Sequence, residues 1–167
     1  ALTDVTIGNS VTNIGYSTFA ECSALTSVVI PNSVTSIGMD AFRNCSGMTS
    51  ITLSNALTTI EESTFEGCTA LESIVTPGSV TTVGYHAFAN CYALASITLP
   101  TSITSPAYYA FESCYHISSV TLTGEGEWRG GTISILRPVS VSIPSGITSV
   151  KGMYLKPSVV YCYAMTP

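Results

Sequence analysis

Apolar residues return along this chain with a period of 23. Leu2, Leu25, Met48, Leu71, Leu94 and Ile117 head successive units. Val5, Val28, Ile51, Ile74, Ile97 and Val120 form a second column. Ile7, Ile30, Leu53, Leu99 and Leu122 form a third, interrupted only by Thr76. Val11, Val34, Leu57, Val80 and Ile103 are followed three residues later by Ile14, Ile37, Ile60 and Val83, with Pro106 breaking the last place. Phe19, Phe42, Phe65, Phe88 and Phe111 never vary, nor do Cys22, Cys45, Cys68, Cys91 and Cys114. Each unit therefore solves one packing problem in the same way, which predicts a solenoid of stacked coils.

The leading stretch of each unit, as in Leu25-Thr26-Ser27-Val28-Val29-Ile30, is rich in β-branched residues and alternates apolar with polar positions, so it reads as a short strand. Equivalent strands in successive coils pair in parallel at about 4.8 Å. Pro31, Pro77, Pro100 and Pro144 follow and remove a ladder donor. A second extended piece, Val-Thr-x-Ile, runs into Gly15, Gly38 and Gly84, where a positive φ is expected, although Glu61 and Ala107 hold the same place elsewhere. Phe and Cys stand three apart, a helical spacing. Ser17, Asp40 and Ser63 precede that segment as N-caps, and Ser63 with Glu66 makes a capping-box pattern. Each coil is thus expected to be strand, bend, extended piece, short helical turn and return.

The run from Leu25 to Cys45, Leu-x-x-Val-x-Ile-Pro-x-x-Val-Thr-x-Ile-Gly-x-x-Ala-Phe-x-x-Cys, resembles the 23-residue repeat of the BspA-like leucine-rich-repeat family. The resemblance covers residues 2–122, five regular repeats plus the strand of a sixth. Residues 123–140 form an irregular glycine-rich insert, and 141–167 a degenerate last repeat with a cap or truncated tail. It implies a right-handed, β-rich leucine-rich-repeat solenoid with parallel strands. That family occurs on surface and secreted proteins of bacteria and some protozoan parasites. It therefore implies an extracellular or cell-surface location, a role in adhesion or protein–protein recognition, and a protein of a host or neighbouring cell as partner. The matching residues are core residues, so no binding residue carries over.

Composition narrows the function classes. Only 9% of residues are charged, against about 25% in typical globular proteins, so the polar surface is built from hydroxyls and amides. Five Lys and Arg against ten acids, a net charge of −5, supply no basic run for nucleic acid. No stretch approaches the roughly 20 apolar residues that cross a bilayer, so membrane insertion of this segment is not expected. Nothing at Ala1–Asp4 resembles a signal peptide, and the repeat is in phase at Leu2. A solenoid needs a polar cap over its first coil, so we expect the sequence to begin inside a longer protein, and the tail Tyr161–Pro167 looks equally abrupt.

The cysteines admit disulfides, metal binding or simple filling of the core. Equivalent Cβ atoms of stacked coils project in parallel rather than converging, which disfavours bridges. There is no Cys-x-x-Cys, and His86 and His116 fall at different repeat positions, so no metal site and no cofactor are expected. No oxygen-rich loop with calcium-ligand spacing appears. The thiols then serve as small apolar fillers beside Phe, and Cys162 alone lies outside the column. Neither histidine has a serine and an acid at recurring offsets, His86 is placed on the outside of its coil, and no enzyme is expected.

Two surfaces remain for binding. One is the outward face of the main strands, where Asp4, Ser27, Ser50, Ser73, Ser96 and Ser119 run beside Thr6, Val29, Thr52, Val75, Thr98 and Thr121; this hydroxyl-lined face suits a ligand or plain solvent. The other is aromatic. Tyr85 and Tyr108 share one repeat column, Tyr92 and Tyr115 another, and Tyr109 lies beside them, in positions that earlier coils fill differently. These tyrosines form a contact cluster for a protein, or alternatively a glycan, or else pack against neighbouring coils. Trp128, the single tryptophan, either contacts a ligand or covers the end of the regular core. A passive spacer is the remaining alternative function.

Overall fold

The computed structural model describes residues 1–103, 107, 109–129 and 140–151. Its coils carry two parallel-paired strands each. The main strands are β2 (Ser27–Val29), β4 (Ser50–Thr52), β6 (Ser73–Val75), β8 (Ser96–Pro100), β9 (Ser119–Thr123) and β11 (Ser140–Ser142). The second strands are β1 (Asn13–Ile14), β3 (Ser36–Ile37), β5 (Thr59–Ile60), β7 (Thr82–Val83), β10 (Gly126–Arg129) and β12 (Ile147–Lys151). Pairing is in repeat register, Ser27 with Ser50 and Ile97 with Val120, so each residue lies over its copy 23 positions away. Side chains alternate across the strand, and the register therefore stacks every apolar column inward.

Between the strands the chain bends at the position of the prolines. The carbonyls of Gly8, Pro31, Ser54, Pro77 and Pro100 accept the amide three residues on, closing one turn per coil. Proline suits this place because its missing N–H is not needed there. The coil that departs from the repeat in sequence keeps the two-strand plan. β10 pairs with β12 in parallel, with a register shift at Gly126/Glu127, and Gly124 and Gly126 adopt φ of 99° and 85°. β11 continues the main sheet beside β9, with Ser140 opposite Ser119. The alternating stretch 132–136 lies outside the described residues.

The expected helical turn at Phe-x-x-Cys is not present among the described residues. Ser17, Asp40, Ser63, His86 and Tyr109, and four positions on Glu21, Asn44, Gly67, Asn90 and Ser113, all have φ between 51° and 72°. Two left-handed residues per coil convert the segment into consecutive tight turns, which a helix cannot contain. Ser17, Asp40 and Ser63 are accordingly turn residues and not N-caps. The amides alternate in direction. Those of Ala20 and Cys22 close turns onto Ser17 and Phe19, whereas those of Ser17, Phe19 and Glu21 reach Met39, Ala41 and Arg43 in the next coil at 2.7–3.1 Å.

The glycines at the end of the second strand answer a different need from the one expected. Gly15, Gly38 and Gly84 do not have positive φ. A Cβ on Gly38 would stand 2.8 Å from Tyr16 N, and one on Gly84 would stand 2.6 Å from Glu62 N. Glycine permits the coils to approach there, and Gly38 and Gly84 donate to Ile14 O and Ile60 O at 2.8 and 2.7 Å. Ala107 still reaches Val83 O at 2.8 Å, but β5, which precedes the bulkier Glu61, pairs with β7 and not with β3. The main sheet is likewise interrupted between β4 and β6, next to the buried Thr76 that replaces an aliphatic residue.

The core runs along the solenoid axis as stacked columns. Leu25, Met48, Leu71 and Leu94 are fully buried, as are Phe42, Phe65 and Phe88. The phenylalanine rings stack, with centroids 5.2–5.6 Å apart and interplanar angles of 3–20°. Phe65→Ala is expected to cost about 3–5 kcal/mol, because neither neighbouring coil can collapse into the space without breaking its own hydrogen bonds. A urea titration measures this, and an unmoved midpoint refutes the stacked column. Gly84→Ala should cost about 1–3 kcal/mol through crowding, whereas Gly78→Ala, with nothing within 4 Å of the new methyl, should be near neutral in the same assay.

Candidate functional site

The cysteine column lies inside the turn segment. Each thiol donates to the phenylalanine carbonyl of the preceding coil: Cys45 to Phe19 at 3.1 Å, Cys68 to Phe42 and Cys91 to Phe65 at 3.2 Å, and Cys114 to Phe88 at 3.0 Å. The same carbonyls accept the amide three residues on, as Phe42 does from Cys45 N. A buried carbonyl has two lone pairs, and the thiol supplies a second donor small enough to fit between coils. The residue is therefore more than an apolar filler. Cys22, Cys45, Cys68, Cys91 and Cys114 are all free thiols. Cys162 lies outside the described residues.

Burial raises the Cys45 thiol from the ordinary 9.0 to about 11, with a smaller contribution from Cys22. Burial also raises Cys68. Such thiols are poor nucleophiles at neutral pH. Ionisation is opposed in the fold and not in the unfolded chain. The stability linked to Cys45 is therefore complete below pH 9 and is lost as pH rises toward and through 11. The urea midpoint is expected to fall across that window, and Cys45→Ala should make the fall shallower. An identical pH profile in the variant would rule out the linkage.

On the outside of the same segment the structure gathers part of the expected aromatic cluster. Tyr85, Tyr92, Tyr109 and Tyr115 are 41%, 46%, 45% and 80% exposed. The rings of Tyr85 and Tyr109 meet edge to face at 5.6 Å. His86 packs beside them as the third corner of a triangle, its ring 4.0 Å from Tyr85 and 5.9 Å from Tyr109. Its Nε2 lies 3.0 Å from Glu112 Oε2. His86 is half-buried in this group and not simply turned outward. Tyr92 and Tyr115 form a separate pair of positions, each turned back on its own coil: Tyr92 Oη–H donates to Asn90 Oδ1 at 3.2 Å, and Tyr115 Oη lies 3.0 Å from Ser113 Oγ. His116 Nδ1 contacts Tyr92 O at 2.7 Å. Tyr108 lies outside the described residues.

Trp128 is corrected as a contact residue. Its side chain is 1% exposed and belongs to the hydrophobic core cluster together with Leu122 and Val141. The inward face of β10 carries it there, so a ligand in solvent cannot reach the ring. Its Nε1 has no hydrogen-bond partner among the described residues. His86 and Glu112 join the aromatic group although the column alignment does not place them in it. The signal lay in the offset of 26, one coil plus three, which also joins Cys45 to Phe19.

The hydroxyl-lined face is in register but broken: Ser27 lies opposite Ser50, and Ser73, Ser96, Ser119 and Ser140 continue it beyond the interruption at β4 and β6. Val29 and Val75 stand exposed on it. At its N-terminal end a cavity of about 370 Å³ opens between Asp4, Thr6 and Asn9 on the first coil and Ser27, Val29 and Pro31 on the second. One carboxylate with no base or cation beside it offers no chemistry. Among the described residues, no three His, Cys, Asp or Glu side chains group as a metal set.

A family model for the BspA type leucine rich repeat region matches residues 1–125 in six copies. The chain belongs to this family. Among solved structures, this BspA-type chain is similar to a leucine rich cell surface protein from Faecalibacterium prausnitzii, at 38% identity and a TM-score of 0.69 over 71% of this chain. The match covers 31% of that protein, so the chain spans about a third of its length. It is similar to the T. pallidum leucine rich repeat protein at 26% identity and a TM-score of 0.67, covering 91% of this chain and 67% of that one. The pneumococcal vaccine antigen PcpA, at 18% identity, shares the fold with a TM-score of 0.69 over 85% of this chain and 38% of its own. No curated protein matches the chain. Membership of a leucine-rich-repeat family with a cell surface protein among its relatives is consistent with a role in protein recognition. No helix among the described residues is long and apolar enough to cross a membrane.

Proposed function

We propose that this BspA-type segment is a non-catalytic recognition module of a cell-surface or secreted protein. It attaches to a protein of a host or neighbouring cell through the turn flank of its fourth and fifth coils. The observation that supports this reading is the use of aromatic residues at left-handed turn positions. His86 and Tyr109 have φ of 55° and 62° where the earlier coils place Ser17, Asp40 and Ser63. Histidine tolerates that region, whereas a tyrosine is disfavoured there, and small polar residues satisfy the turn in three coils. Tyr109 thus serves something other than the turn. Tyrosine supplies rigid contact area with a polar tip, the kind of residue that dominates protein interfaces. Among the described residues, His86 interacts with Glu112 and two rings and with no serine or thiol that could act as its nucleophile.

The test is a screen of the chain against arrays of matrix proteins, cell-surface proteins and glycans. Binding to a protein should survive periodate treatment of the target. Replacement of Tyr85, Tyr92, Tyr109 and Tyr115 should weaken it by about thirtyfold or more, the scale of a lost hot spot. The melting temperature should stay within a degree or two, since exposed positions contribute little to stability. Loss on periodate treatment would move the reading to carbohydrate, and silence on every array would leave a passive spacer.

A further inference from the structure

We infer that the partner segment seated on this aromatic flank is cationic, with arginine or lysine side chains laid over the faces of Tyr85 and Tyr109; the inference rests on the recognition surface proposed above. Residues 1–125 contain nine acids and a single cation, Arg43. Six of those acids, Glu21, Asp40, Glu61, Glu62, Glu66 and Glu112, lie at the turn segment or the bend that enters it. Arg43 is already engaged there, 3.8 Å from Asp40 and 3.6 Å from Glu66. The flank therefore keeps a surplus of carboxylates over the single arginine on the repeats.

The carboxylates bracket the rings. Glu62 holds the position of Tyr85 one coil earlier and is exposed, and the backbone of Glu61–Glu62 lies directly against Gly84, beside Tyr85. On the other side Glu112 is half-exposed while paired with His86. A guanidinium or ammonium group is attracted to the negative face of a tyrosine ring, and a carboxylate at its edge adds a charge-assisted hydrogen bond. An anionic or neutral partner gains only the ring contact and meets the acid surplus as repulsion or unpaired charge. Two rings held about one coil apart present successive sites for alternate side chains of an extended segment. The hydroxyl-lined face offers neither feature, because its exposed residues are uncharged beyond Asp4 and Glu72.

The test uses three fluorescent eight-residue peptides that alternate glycine with arginine, glutamine or glutamate, followed by anisotropy against the whole chain. The arginine peptide should bind at least tenfold more tightly than the glutamine peptide, and its affinity should fall several-fold between 50 and 200 mM salt. Tyr85→Ser with Tyr109→Asn, which keeps a residue tolerant of the left-handed turn, should weaken the arginine peptide about fivefold or more. Glu62→Gln with Glu112→Gln should do the same, with melting temperature as the control for folding. Arginine binding that ignores the tyrosine pair is mere attraction to a net-acidic chain and overturns the inference. So does equal binding of arginine and glutamine peptides. If the tyrosine variants lose an array partner whose binding is insensitive to salt, the recognition reading stands and the cationic partner falls. If the array partner is kept by those variants, the recognition reading itself fails.

Discussion

The phenylalanine carbonyl inside the turn segment is the point on which the coils are registered. It accepts one bond from its own coil and a second from the thiol of the next, beneath a ring that stacks on its copies. The backbone bonds between coils at this segment continue from Ser17→Met39 through Asp40→Glu62 and Ser63→Tyr85 to Asn90→Glu112. The sheets do not have that continuity, since they part between β4 and β6 and between β3 and β5. A buried carbonyl left with a vacant lone pair loses free energy, and a missing ring leaves a void, so both the polar and the apolar terms fix the same spacing. The turn column is the spine of this solenoid, and the two strands per coil hang from it.

That arrangement explains which parts of the fold were legible. The strand columns were read correctly because β-branched alternation has no other low-energy use in a 23-residue coil, and Ser27 meets Ser50 as the repeat requires. The Phe-x-x-Cys segment misled because a helix and a pair of tight turns both place residues three apart on one side. Asp40 and Ser63 deepened the ambiguity, since a short polar side chain suits an N-cap and a left-handed turn equally well. Gly67 and the asparagines Asn44 and Asn90, four residues on, were the discriminating signal: a second left-handed position so soon after the first leaves no room for a helical turn. The glycines of the second bend were read for the wrong property, because contact with the preceding coil is invisible until the coils are stacked.

The aromatic group was legible only in part for a related reason. Column alignment brought Tyr85, Tyr109, Tyr92 and Tyr115 into two coils, and it could not tell which rings touch. Contact depends on small sidesteps between neighbouring coils: one residue past the repeat brings Tyr85 to Tyr109, three bring His86 to Glu112, and Tyr92 and Tyr115 stay bonded to Asn90 and Ser113. Trp128 was ambiguous because a residue that breaks a repeat either caps the core or faces outward, and the inward alternation of β10 decided for the core.

A solenoid coil touches only its neighbours, so a costly residue in one coil is not amplified along the array. The turn column can therefore accept Tyr109 in a conformation that suits asparagine or glycine better, provided the carbonyl and ring stack beneath it stays intact. The stack is unbroken there, with Phe88 and Phe111 at 5.2 Å and 3° from parallel. The described outward residues of coils four and five are thus mounted on a continuous ring stack. A surface held this way loses little conformational freedom when a partner arrives, so more of the contact energy remains as affinity. The repeat supplies the rigidity, and the residues that depart from it stand where that rigidity would serve the proposed contact.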